Sequence, residues 1–213
     1  MKYTVKSVLL ASLLLGACQD DITTPFPPGL EPLEDNEVPD SDVPTVEDIA
    51  IKGDSGATIR VYGRGLIFSS PADVWVAEHF PEWMVARCST DDQTVTETDD
   101  PAYEFSFSVH YFVDNIVNVE WDDQWRYGVI EGTQDAPTFG MIRHQKTQGS
   151  DFIDISEGSI QLHATDDPNV TELDFVEHLN AVEGSVGDVS NGMRDNYNRL
   201  VAALHDAPKP SCP

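Results

Sequence analysis

Two periodicities divide the chain. From Tyr103 onward every second residue is apolar: Phe105, Phe107, Val109, Tyr111 and Val113 alternate with Glu104, Ser106, Ser108 and His110. That is the period of a half-buried strand. The odd positions continue as Val117, Val119, Trp121, Trp125, Tyr127 and Val129, broken only at Asp123. Residues paired across a hairpin share a face, so odd meets odd only across a loop with an odd number of residues. The loop Asp114-Asn115-Ile116, pairing Val113 with Val117, meets that condition, and a two-residue turn does not. Ahead of the hairpin, Thr58 to Phe68 predicts an opening strand. Ser70 then serves as a helix cap and Pro71 as the first helical position of a short helix ending near Phe80-Pro81, with a second turn over Glu82 to Val85. Behind the hairpin, strands are predicted over Phe139–Thr147, Phe152–Ala164 and Val170–Ala181, the last two joined by the turn Asp166-Asp167-Pro168-Asn169. Val189 to His205 changes to the helical period, with Met193, Tyr197, Leu200, Val201 and Leu204 on one stripe.

The first fifty residues do not belong to this pattern. Lys2 and Lys6 precede an apolar run from Val8 to Leu15, the layout of an export signal. Leu15-Gly16-Ala17-Cys18 resembles the bacterial lipobox, which implies a signal peptide over residues 1–17 and a diacylglyceryl thioether with N-acylation at Cys18. Such an anchor is close to permanent, since each buried methylene contributes about 0.8 kcal/mol. Gln19 is not the aspartate that retains lipoproteins at the inner membrane in the enteric sorting pattern, so the expected location is the cell envelope, at the outer membrane. Residues 19–50 carry six prolines, ten acids and no Lys or Arg, and Phe26 is their one aromatic. That composition predicts a disordered, extended tether over residues 18–50, with the folded domain over residues 51–213.

Charge removes one class of function. With 12 basic residues against 38 acidic ones the chain carries a formal charge of −26, whereas binding a phosphate backbone requires a basic stripe. The doubled acids Asp91-Asp92, Asp99-Asp100, Asp122-Asp123 and Asp166-Asp167 lack the alternating ligands, glycine and closing glutamate of a calcium loop. They are expected to be solvated loop acids. Acylation of Cys18 leaves two thiols, Cys88 and Cys212, and an oxidising compartment predicts a disulfide between them. The alternative is a buried free Cys88 with a mobile Cys212.

Candidate chemistry is sparse. His144 lies beside Arg143, and Glu177 beside His178, on two predicted strands that form a polar cluster only if they meet in space. A surface or hydrogen-bonded histidine is the expectation at each. His79 and His205 fall near helix C-termini, where the dipole favours positive charge. No zinc spacing, Gly-x-Ser-x-Gly elbow or full dinucleotide fingerprint is present, and Gly63-Arg64-Gly65 is expected to mark a bulge or bend. Neither a metal nor a cofactor is expected.

The element order of a strand, two short helices, consecutive antiparallel strands and a long C-terminal helix resembles the START/SRPBCC superfamily over residues 57–206. The stretches carrying the resemblance are Ser69-Ser70-Pro71-Ala72-Asp73-Val74-Trp75, Val170 to Leu179 and the helix Met193 to His205. The resemblance implies an α+β helix-grip fold in which a curved antiparallel sheet wraps the last helix and leaves room for an apolar ligand. The lining it implies is Phe107, Val109, Tyr111, Val119, Trp121, Trp125 and Tyr127 on the hairpin, with Met193, Tyr197, Leu200, Val201 and Leu204 on the helix. Three functions stay open at this point. They are an anchored protein that holds or shuttles a lipid-like molecule, a filled-core interaction protein with an unknown protein partner, and a cyclase or hydrolase using Glu177, His178 or His144.

Overall fold

The structure is a computed structural model and describes residues 21–85, 88, 90–114 and 117–211. Nine strands form one antiparallel sheet. β1 (Asp21–Thr23) and β2 (Ile49–Asp54) precede the predicted opening strand, which is β3 (Ile59–Ile67). The helices α1 (Pro71–Glu78) and α2 (Pro81–Met84) follow, then β4 (Asp92–Glu97), β5 (Phe105–Val113), β6 (Val119–Thr133), β7 (Ala136–Ser150), β8 (Ile153–Ala164), β9 (Thr171–Ala181) and α3 (Val186–Leu204). The spatial order is β2-β3-β9-β8-β7-β6-β5-β4, with β1 added on β7.

Local chemistry sets the element ends. Ser70 Oγ accepts from the Asp73 amide at 3.2 Å and Pro71 fills the first helical position of α1. Ser185 repeats the device for α3, accepting from Asp188 N at 3.2 Å, so that helix starts earlier than its apolar stripe alone indicates. The hairpin keeps the expected parity but not the expected register: Val113 faces Val119 rather than Val117, so five residues, not three, separate the two strands. Odd still meets odd, as in Phe107 with Trp125 and Tyr111 with Trp121. Register shifts between Asp122 and Asp123 and between Val129 and Gly132 bend β6. β4, which the sequence pattern does not reveal, is a polar edge strand paired to β5.

The inward face of the sheet and α3 share the main core. Val61, Ile67, Phe107, Ile142, Ile160, Leu173 and Phe175 meet Met193, Tyr197 and Leu200 there, which is the helix-grip arrangement. Gly63 and Gly65 lie in regular pairing with both neighbouring strands, not at a bulge. Their role is close approach: a Cβ at Gly63 would run into Met193 Sδ, and one at Gly65 would come within 2.7 Å of Asp48 O. Tyr197 donates from its hydroxyl to Leu66 O at 2.5 Å, tying the middle of α3 to β3.

The outward face differs from expectation. After β1, residues 24–48 are laid across it as a strap rather than leaving it as a free tether. Phe26 and Tyr103 lie under the Arg126 guanidinium at 4.0 and 4.6 Å. Arg143 Nη1 donates to Glu31 O at 3.0 Å, and Leu33 N to Ser159 Oγ at 3.1 Å. Asn36 Nδ2 donates to Gly63 O and Phe175 O at 2.9 and 3.2 Å. Val38 is buried against Tyr62 and Val176 in a small second core. The compositional criterion for disorder counts what a segment can bury within itself. Here the partner surface is supplied by the sheet.

Candidate functional site

A cavity of about 350 Å³ opens between the N-terminal half of α3 and the ends of β8 and β9. Its apolar wall is Met84 of α2, Trp125 of β6, Leu179 of β9, and Val189 and Met193 of α3. Beside these on the sheet lie His144, Ser156 and Glu177, with Asp188, Asn191, Asp195 and Asn196 of α3 also among the lining residues. The volume is near the lower end of the roughly 300–1,000 Å³ of ligand pockets.

The polar wall is built by register. His144 on β7 pairs with Gly158 on β8, which pairs with Glu177 on β9. The two side chains meet over the glycine, with His144 Nε2 2.9 Å from Glu177 Oε1. A Cβ at Gly158 would collide with His144 Nε2 and stand 2.8 Å from Glu177 Oε1. The imidazole also stacks on Trp125 at 4.3 Å and 15°, and Trp125 stacks on Phe107 at 5.6 Å and 10°. His144 is therefore a hydrogen-bonded, buried histidine on the cavity wall. His144 Nδ1 has no hydrogen-bond partner among the described residues.

His178 has its imidazole on the other face. Its Nε2 lies 2.8 Å from Glu34 Oε1 of the strap and its Nδ1 3.6 Å from Glu157 Oε1. Burial pulls its pKa down, but the Glu157 carboxylate beside it and the hydrogen bond to Glu34 outweigh that and raise it. Glu34 also accepts from Tyr62 Oη at 2.5 Å. His79 and His205 cap the C-termini of α1 and α3 as expected, His205 Nε2 lying 2.9 Å from Glu47.

Of the twelve residues expected to line a ligand space, Trp125 and Met193 line the cavity. Phe107, Val109, Tyr111, Trp121, Tyr127, Tyr197 and Leu200 are buried in the core, and Val119, Val201 and Leu204 pack against it half-buried. Sequence reasoning missed Leu179, Ser156 and the α3 residues Val189 and Gly192: Leu179 and Val189 continue the inward period of β9 and the stripe of α3, whereas Ser156 and Gly192 carry no apolar signal. It also missed Glu78, which is fully buried on α1 and whose carboxyl burial drives well above its ordinary value.

A second, larger hollow of about 610 Å³ lies on the outward face between Pro32–Asn36 of the strap and Arg64, His163 and Asp174. Its arginine is already engaged, since Arg64 bridges Asp40, Glu172 and Asp174 at 2.5, 2.9 and 3.0 Å. Burial pushes Asp174 up to about 6, with Arg64 opposing. Among the described residues no three potential metal ligands converge. Cys88 lines the cavity and accepts from Arg199 Nη2 at 3.6 Å. Cys18 and Cys212 lie outside the described residues.

No protein-family model matches the chain, and no curated protein matches it. Solved structures do. The human StarD13 lipid transfer and protein localization domain is 8% identical, with 79% of this chain and 88% of that chain covered and a TM-score of 0.49. The Zhui aromatase/cyclase of a Streptomyces species is 11% identical over 70% and 93% of the two chains, with a TM-score of 0.45. Ara h 8.0201 is 8% identical over 70% and 99%, with a TM-score of 0.44. What the structure itself shows is a long antiparallel sheet with a long C-terminal helix packed on it.

Proposed function

We propose that the protein is a lipid-anchored cell-envelope protein that holds or shuttles one apolar small molecule. The observation that supports this reading is the cavity between α3 and the β8–β9 ends. Trp125, Met84, Leu179, Val189 and Met193 give it a greasy wall, and the His144–Glu177 pair gives that wall one polar spot. A wall of this kind fits a ligand with an apolar body and a single hydrogen-bonding group. Cys18 is the site of lipidation, and a disulfide between Cys88 and Cys212 closes the tail onto the domain.

The test exploits Gly192, which lines the cavity on α3 and has nothing within 4 Å of a built Cβ. Gly192→Trp places an indole at the opening without displacing a packed group, and replaces a poor helix former. The wild-type protein, incubated with membrane extract and sprayed under native conditions, is expected to carry an apolar adduct. The Gly192→Trp variant is expected to carry none while melting no lower. A wild-type protein that never retains an apolar compound would overturn the reading. The filled-core alternative has one observation in its favour, since ten of the twelve expected lining residues pack solidly. It predicts that negative result.

A further inference from the structure

The path of the chain into β1 determines which end of the molecule a lipid anchor would hold. Asp21 pairs with Ser150, Ile22 with Gly149 and Thr23 with Gln148, so the chain enters the sheet beside the β7–β8 turn and runs inward. The edge it takes is one that β8 has left, because β8 pairs with β7 only from Phe139 to Gln145. Lys146 closes the fork, its Nζ donating to Ser150 O at 2.6 Å and to Ile153 O. The cavity lies at this same end: Ser156 and Leu179 face each other across β8 and β9, two pairs short of the last, Ile153 with Ala181. Asp114 and Val117 beside the β5–β6 ends, and the β9–α3 loop at residues 182–185, are there as well.

Three residues carry the chain from Cys18 to Asp21, and an extended chain spans at most about 3.6 Å per residue. The α-carbon of Cys18 therefore lies within roughly 11 Å of the α-carbon of Asp21. We propose that the anchor seats the cavity-bearing end of the domain against a lipid surface, so that residues 18–21 act as a short mount rather than a long leash. The inference rests on the lipoprotein reading above. Val182 and Val117, 71% and 37% exposed on the two loops at this end, are the apolar side chains presented to the bilayer. Asp114, Asp151, Asp154 and Glu183 are exposed on the connections and strand end at this same end. Anionic head groups would repel these acids, so the covalent anchor, not surface charge, has to hold the contact. The far end, with the β8–β9 turn at Asp166–Asn169, lies about 35 Å away along the twelve residues of β8.

The experiment uses the full chain, lipidated in cells and reconstituted in phosphatidylcholine vesicles, with a photo-crosslinking amino acid at Val182 or at Asn169. Lipid adducts are expected to be several-fold more abundant from position 182 than from 169. A twenty-residue Gly/Ser spacer inserted after Gln19 is expected to bring position 182 down to the level of 169. Equal labelling at both ends of an acylated protein, or labelling unmoved by the spacer, overturns the orientation. An N-terminal peptide whose mass shows no acyl group overturns the anchor itself, and ligand retention by the unlipidated domain is read separately.

Discussion

Gly158 is the residue on which the polar wall of the cavity depends. His144 and Glu177 reach each other because the strand between them carries only a hydrogen at that point. Gly158→Ala pushes the pair apart and leaves buried polar atoms without partners, which costs about 1–3 kcal/mol. Urea unfolding is expected to show that loss, and the imidazole nitrogen shifts of His144 are expected to change with it. Gly192→Ala, on the open side of α3, is the contrasting case and is expected to gain about 0.5–1 kcal/mol. Equal effects from the two changes would mean the pair carries no weight. The sequence singles out His144 and Glu177 but does not join them. Inward residues are odd on β6 and even on β7, because Trp125 faces His144, and this change of parity follows from a register shift after Asp122 that no local signal announces.

At the scale of elements, the strap is where expectation and structure part. Its attachment centres on Glu34, which faces His178 of β9, Tyr62 and Arg60 of β3, with Glu157 of β8 on the other side of the imidazole. Folding raises the pKa of His178, so its contribution is fully present below the free value of 6.5 and is lost as pH rises through the folded value. Burial works against Glu34, but Tyr62 and His178 hold its carboxyl below 4.5. His178 beside it, with burial opposing, does the same for Glu157. Their contribution is lost as pH falls through those lowered values. A nitroxide at Asp35 is therefore expected to be immobile near pH 6 and to loosen toward pH 8.5, and His178→Gln is expected to flatten that rise. A label equally mobile at both pH values in the parent would refute the role given to His178. The hairpin, α1, β7 to β9 and α3 were all legible because their apolar period is internal to each element. The strap was not legible, because its partners, Arg126, Arg143, Ser159 and Tyr62, are scattered over strands that only the fold brings together.

For the whole molecule the governing quantity is the charge of −26. The inward face of the sheet is closed by α3 and the outward face by an acidic strap, so folding concentrates 37 of the 38 acids, those from Asp21 onward, on a small body with ten basic side chains to offset them, Lys2 and Lys6 lying ahead of it. Two electrostatic effects then oppose each other. The strap's ion pairs, such as Lys52 with Glu37 at 2.6 Å and Arg64 with Asp40 at 2.5 Å, weaken as salt screens them. The mutual repulsion of the remaining acids weakens too, and this stabilises the folded state. Exposed pairs contribute only about 0–1 kcal/mol each, whereas the repulsion is summed over more than twice as many uncompensated acids as the chain has bases. Relief of repulsion should therefore dominate. The melting temperature is expected to climb as sodium chloride rises from about 10 mM, where the screening length is ~30 Å, to about 1 M, where it is ~3 Å. Over the same range the nitroxide at Asp35 is expected to become more mobile. Calorimetry and spin-label spectra on one sample series check both signs together. A melting temperature that falls with salt would show that the strap's pairs, rather than the acidic surface, set the stability of the fold.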